Sequence, residues 1–250
     1  MTSIQIASDL HIECYDESIN PLDFITPTAD ILILAGDIGS LYKIKQLTTF
    51  VSIICGYFQA VLYIPGNHEY YTVENYTPIV FSVLENRILQ LGTDIKNLHI
   101  LNRNSIRINN LCILGCTLWS RPEFTVPNYI VRIPDWTTEI YLDHHEKDLL
   151  YITQMIEQCK QRKYKLLVVT HHTPTYKVLE GTTKRKKYLS LYSSDLEHLL
   201  DKEMAIAWIC GHIHKNFDFI SEKGCRIVSN QRGKLKDRIT NYSKKFIINI

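Results

Sequence analysis

Short apolar runs recur along the chain, and five of them stop at a glycine or at a side chain able to bind a metal. They cover residues 2–7, 30–35, 60–65, 165–169 and 205–210. Runs such as Asp30-Ile-Leu-Ile-Leu-Ala35, with no polar alternation, predict strands covered on both faces. Between them the period changes to three and four. Leu41, Ile44, Leu47, Val51 and Ile54 predict an amphipathic helix over 41–58. A second helix is expected from about Glu74 to Leu91, with Gly92 as its C-cap. Leu142, His145, Leu149, Ile152, Ile156 and Cys159 line the face of a third. Strand and helix alternate, which is the βαβ pattern with its right-handed crossover.

From residue 98 the runs shorten. Leu98–Leu101, Ser105–Ile108 and Leu111–Gly115 read as three strands of a second, partly antiparallel sheet, with Asn109-Asn110 as a hairpin turn. A further hairpin is expected around Glu222-Lys223-Gly224, and a last strand over 244–250. Ser194-Asp195-Leu196-Glu197 has the form of a capping box opening a short helix. Residues 117–136 hold three prolines and two tryptophans without a period, an ordered loop long enough to suggest function. The loop 175–193 carries Lys184-Arg185-Lys186-Lys187, read as a solvated basic segment; the sharper alternative is a flap meeting an anionic substrate. No repeat or linker interrupts the chain, so one domain over 1–250 is expected.

Composition narrows the function classes. The formal net charge is +2, so the overall balance does not point to nucleic acid or to a membrane surface. A nucleic-acid substrate keeps support only from the 184–187 run. No apolar run approaches the roughly 20 residues of a membrane span. The first residues lack the pattern of a signal peptide. The seven cysteines lie singly, without a CxxC pair, as expected for reduced thiols in the cytoplasm.

The chemistry collects at the strand ends. Asp9 and His11 are two apart, so in extended backbone their side chains face one way. Asp37 follows Gly36, which lets the chain turn sharply. Gly66-Asn67-His68-Glu69 presents an amide, an imidazole and a carboxylate beyond the strand 60–65. His171 and His172 are adjacent, so their side chains diverge and one of them is expected to be a ligand. His212 and His214 follow Gly211, again two apart. His144 and His145 sit on the third helix and read as ordinary half-buried histidines. Asp9, His11, Asp37, Asn67, His171, His212 and His214 make seven oxygen or nitrogen donors and no thiolate. That set suits Mn, Fe or Zn, and argues against a structural zinc. Seven donors exceed one ion's needs. Two ions would each receive four if one carboxylate bridges them.

The ordered set Asp-x-His, Gly-Asp, Gly-Asn-His-Glu, His-His-x-Pro and Gly-His-x-His resembles the calcineurin-like metallophosphoesterase superfamily over residues 9–214. Thr117-Leu118-Trp119, Ser194–Glu197 and Asn230-Gln231-Arg232-Gly233 are similar to a small-phosphoesterase subgroup of bacteria and viruses. The resemblance implies an α/β fold, a four-layer sandwich of two mixed β-sheets flanked by helices. It implies Asp9, His11 and His214 on one metal, Asn67, His171 and His212 on the other, and Asp37 bridging. His68 would be the general acid or an orienting group, with His172 and Arg232 as phosphate contacts. The implied reaction is hydrolysis of a phosphomonoester or phosphodiester, cyclic nucleotides and nucleic acids included, by metal-bound hydroxide. A non-catalytic scaffold on the same fold is the alternative, disfavoured by the complete donor set. The Gly-Asp-x-x-Asp-Arg motif of protein phosphatases is absent: the stretch is Gly36-Asp37-Ile38-Gly39-Ser40-Leu41. A phosphoprotein substrate loses ground accordingly.

Overall fold

The computed structural model of the chain describes residues 2–181 and 186–250. Lys184 and Arg185 lie outside the described residues, as do the side chains of Lys186 and Lys187. The strands are β1 (Ser3–Ala7), β2 (Ile31–Ala35), β3 (Ala60–Ile64), β4 (Leu98–Ile100), β5 (Asn104–Ile108), β6 (Leu111–Cys116), β7 (Lys165–Thr170), β8 (Ala207–Ile209), β9 (Asp218–Ile220), β10 (Arg226–Val228) and β11 (Ile247–Asn249). The helices are α1 (Ile44–Cys55), α2 (Phe81–Asp94) and α3 (Thr138–Arg162).

The strands form two mixed sheets, of five strands in the order β11-β1-β2-β3-β4 and of six in the order β5-β6-β7-β8-β10-β9. In the first, β1 to β4 run parallel and β11 pairs antiparallel with β1. In the second, β6, β7, β8 and β10 run parallel, with antiparallel β5 and β9 at the edges.

Alternation along each strand builds the layers. Ile31, Ile33 and Ala35 of β2 pack with Ile113 of β6 and Leu167 and Val169 of β7, a core between the two sheets. Leu32 and Leu34 face the other way, onto Leu47 and Phe50 of α1 and Leu84 and Ile88 of α2. Leu166 and Val168 of β7 pack outward on Ile152 and Ile156 of α3. The result is the helix, sheet, sheet, helix sandwich expected from the sequence.

Four local expectations are corrected. Leu98–Ile100 joins the first sheet, beside β3, and Leu101 N–H donates to the Tyr63 carbonyl. The α2 crossover returns the chain parallel to the strand it left, which overrides the change of period. The second helix begins at Phe81, not Glu74. Pro78 disfavours helix at its predecessor, and Tyr42 Oη takes the Ile79 N–H at 2.9 Å. Gly92 lies inside α2, not at its cap; a Cβ there would meet Ile100 Cγ1 at 2.7 Å, so the glycine serves close helix–strand packing. Ser194 does not cap a helix. Its N–H bonds the Thr173 carbonyl, Glu197 is taken by Thr175 Oγ1, and only a 3-10 turn, Glu197–Leu199, forms. Among the described residues no helix is long and apolar enough to cross a membrane.

Candidate metal centre

β1, β2, β3, β7 and β8 are parallel within their sheets, and the turns after their C-terminal ends carry all seven donors. That edge is where open α/β sheets bind ligands. The turns are tight. Asp9, His11, Asp37, His212 and His214 all have left-handed backbone, with φ between 47° and 73°. Non-glycine residues rarely adopt it, and residues held there cluster at functional sites.

Glycines make the room. A Cβ on Gly66 would run into Asp37 Oδ1, and one on Gly36 into the His171 ring. One on Gly211 would lie 2.6 Å from Asp9 Oδ2. Glu69, a metal donor by residue type, plays another part. It is fully buried, and its carboxylate accepts from the N–H groups of Asp37 (3.0 Å), Ile38 (2.8 Å) and Gly66 (2.8 Å) and from Tyr63 Oη (2.7 Å). It ties the β2 and β3 turns together and holds Asp37 in place. Burial, and then the Asp37 charge, push its carboxyl up.

Three groups of ligand atoms lie within 4.8 Å among the described residues: Asp9, His11, Asp37 and His214; Asp37, His171 and His212; and, beside the first, His11, Glu13 and His68. Asp37 belongs to the first two. Its Oδ2 lies 3.7 Å from His11 Nε2 and its Oδ1 3.3 Å from His171 Nε2. Asn67 Oδ1 adds a donor to the second group, 3.0 Å from His171 Nε2. All seven donors named from the sequence are therefore gathered at one edge.

Each ring is aimed by its other nitrogen. His171 Nδ1 lies 2.9 Å from the Ala35 carbonyl. A carbonyl only accepts, so Nδ1 carries a proton, and Nε2 is the nitrogen that becomes free for a metal once its own proton is lost. His11 Nδ1 donates to Glu13 Oε1 (3.0 Å) and His214 Nδ1 to Asp237 Oδ2 (2.6 Å). Such partners orient metal-binding histidines. His11 Nε2 and His214 Nε2 then point lone pairs at each other across 3.0 Å, with Asp9 Oδ1 3.3 Å from the latter. Lone pairs repel at that distance unless a proton or a cation stands among them. Donors about 2.1 Å from one ion lie about 3.0–3.4 Å from each other, octahedral to tetrahedral, so this nitrogen and oxygen set, at 3.0 and 3.3 Å, fits a cation.

The charges agree. Burial opposes charge on His171, but Asp37 holds its imidazolium up at about 9. Burial likewise raises Asp37; the His171 charge and hydrogen bond above all outweigh it and leave the carboxyl well below its ordinary range. His172 is pushed down to about 3 by burial and the His171 charge. Burial holds His68 well below its ordinary value, so its ring is neutral.

The donors open into a pocket of about 270 Å³. His68 and His172 line it, with Tyr71, Ile130, Val131, Tyr141, Leu191, Lys234 and Lys236. Arg232 is placed elsewhere: its guanidinium lies 4.3 Å over the Phe24 ring and donates to Tyr15 Oη. The side chain expected at phosphate is instead committed to an aromatic clamp. Residues 117–136 contribute Ile130 and Val131 to the pocket, while Trp119 and Trp136 are buried against each other, centroids 4.5 Å apart. His144 stacks on Trp136, and His145, buried rather than half-buried, bonds the Trp119 carbonyl at 2.6 Å. Sequence reasoning missed Glu13, Asp237, Lys234 and Lys236. Glu13 continues the alternation of Asp9 and His11, a usable signal. Asp237 and the two lysines lie in a stretch without period and gave none.

A family model described as calcineurin-like phosphoesterase matches residues 2–216. The chain belongs to that family. Among curated proteins it is 29% identical to an uncharacterized protein of Acanthamoeba polyphaga mimivirus, over 95% of this chain and 93% of that one. Among solved structures it is similar to the phosphopantetheinyl hydrolase of Mycobacterium tuberculosis, with a TM-score of 0.74, 16% identity, and 99% and 95% of the two chains covered. It is also similar to a dimetal phosphatase from Danio rerio, with a TM-score of 0.57, 11% identity, and coverages of 91% and 86%. At such identities the likeness shows the fold: this calcineurin-like phosphoesterase shares its two-sheet sandwich with both.

Proposed function

We propose that this calcineurin-like phosphoesterase is a dinuclear metal-dependent hydrolase of a phosphomonoester or phosphodiester. The observation that carries the reading is Asp37, one buried carboxylate whose two oxygens face two separate groups of nitrogen and oxygen donors. Asp9, His11 and His214 would hold one cation, Asn67, His171 and His212 the other, and Asp37 both. Mn, Fe and Zn suit the set. When bound, such a pair supplies Lewis acidity at phosphorus and lowers the pKa of water.

The chain's own groups do the rest. The neutral His68 ring stands at the pocket wall, with Nδ1 3.8 Å from Glu13 and Nε2 3.4 Å from Lys234 Nζ. Being neutral, it is placed to orient the departing oxygen rather than to protonate it. His172, buried and neutral beside His212 (ring centroids 4.0 Å apart), walls the phosphate side. Metal analysis of protein purified without chelator, with assays on aryl phosphate and bis-aryl phosphate, tests the reading. About two equivalents of metal and metal-dependent turnover support it. No metal and no turnover leave the scaffold alternative.

Two further outcomes are expected. Asp237→Asn should lower metal affinity or turnover by about 10–100-fold, because His214 loses its charged partner; titration of chelator-treated protein with Mn2+ checks this. Metal binding should also release protons. In chelator-treated protein His171 is held up at about 9, so at pH 7.5 its ring is protonated and must lose that proton to bind a metal. That ring's stabilising contribution is complete below its unfolded pKa and fades as pH rises through about 9. Apparent metal affinity should therefore climb from pH 6.5 to 9. Calorimetry in buffers of different ionisation enthalpy reads the released proton; buffer-independent heats would contradict it.

A further inference from the structure

The family match ends at residue 216, and Lys234 and Lys236 lie beyond it, yet both line the pocket. The turn that carries them is fixed to the centre. Asp237 accepts from the Lys234 N–H at 2.8 Å and from His214 Nδ1 at 2.6 Å, and the Arg232 N–H bonds the Ser8 carbonyl at 3.1 Å. Lys234 is half-buried, with Nζ 3.4 Å from His68 Nε2. Neither lysine is ion-paired with a carboxylate among the described residues. The two carboxylates lining the pocket, Asp37 and Asp237, face imidazoles. Lys234 thus stands beside the ring placed at the leaving oxygen and Lys236 lines the same pocket, neither in an ion pair among the described residues, while Ile130, Val131 and Leu191 offer apolar wall.

We infer that the substrate of this site is a small organic phosphate with a second phosphoryl group on its leaving portion, held by Lys234 and Lys236. The inference rests on the phosphoesterase reading above. A phosphoryl group carries a charge of about −1.5 to −2 at neutral pH, which a pair of lysines matches and a lone carboxylate does not. In the reaction a water oxygen bonds to the first phosphorus and the bond to the leaving oxygen breaks. The leaving oxygen takes a proton that the attacking water gives up, with the neutral His68 ring beside it to orient it, and the second phosphoryl departs with that oxygen. A pocket of about 270 Å³ suits a small molecule rather than a nucleic-acid strand.

The test is calorimetric binding of methylenebisphosphonate and of methylphosphonate, neither of which is hydrolysed, to manganese-loaded protein. The wild type should prefer the bisphosphonate by about tenfold or more. Lys234→Gln with Lys236→Gln should bring that ratio close to one. If the double variant does not fold, exposed Lys236→Gln alone should lower the ratio at least about threefold. Equal binding by the wild type, or a preference kept in a folded variant, overturns the inference. So does lysine-dependent binding of a single-stranded oligonucleotide as tight as that of the bisphosphonate. Manganese content and aryl phosphate turnover are read on the same preparations. Their absence would remove the dinuclear reading while a lysine-dependent preference survived; their presence without that preference would remove only the second phosphoryl.

Discussion

Asp37→Asn is expected to abolish hydrolysis, by about 10³-fold or more. It should also lower bound metal in both sites at once. The reason is the double role of one carboxylate. Oδ1 faces His171 and Oδ2 faces His11. An amide keeps the size but loses the charge and turns one oxygen into a donor. The fold should survive, since Asp37 is anchored through its backbone. Its N–H is held by Glu69 and its carbonyl by the His11 N–H. One acceptor role is at risk: Asp37 Oδ1 takes the His68 N–H at 2.8 Å, and the remaining amide oxygen can still serve it. The measurement is metal content by mass spectrometry beside kcat on an aryl phosphate. Wild-type turnover in a folded Asp37→Asn protein would remove the mechanism.

The second large effect is on stability. Glu69→Ala should cost about 3–5 kcal/mol. Three backbone N–H groups and the Tyr63 hydroxyl point at one buried carboxylate. Removing it strands all of them away from water. For a chain of this size that is a fall of about 10 °C in melting temperature. Turnover should be lost as well, because the β2 and β3 turns separate and Asp37 drifts. Glu69→Gln should be milder, retaining one acceptor while its amide group confronts a donor. Thermal melts of the three proteins order the effects; an alanine variant as stable as wild type would show that the carboxylate carries no such role.

Much of the architecture could be read from the chain because buried parallel strands announce themselves. Uninterrupted runs such as Leu32-Ile33-Leu34 have no polar face, so no other element accommodates them. The donors could be read because each closes such a run. What the sequence hid was long-range. Leu98–Ile100 looks like its successors, yet the direction of the α2 crossover decides which sheet receives it. Glu69 looks like a ligand, and only the path of the β2 turn shows that it serves backbone instead. The resemblance places Arg232 at phosphate, but Tyr15 and Phe24, more than two hundred positions away, hold it out of the pocket. Asp237 becomes visible only when the tail folds back onto His214.

The left-handed turns at Asp9, His11, Asp37, His212 and His214 have a consequence for how this protein can change. A glycine at any of them would relieve roughly 1–2 kcal/mol of local conformational energy. Glycine would thus ease the backbone at the very positions the proposed metal sites need, at the cost of the N–H groups whose bonds Asp9 and Asp37 now accept. Backbone ease and the proposed metal ligation pull in opposite directions at these five residues, and a programme to toughen the protein should leave them untouched and look to the outer helices.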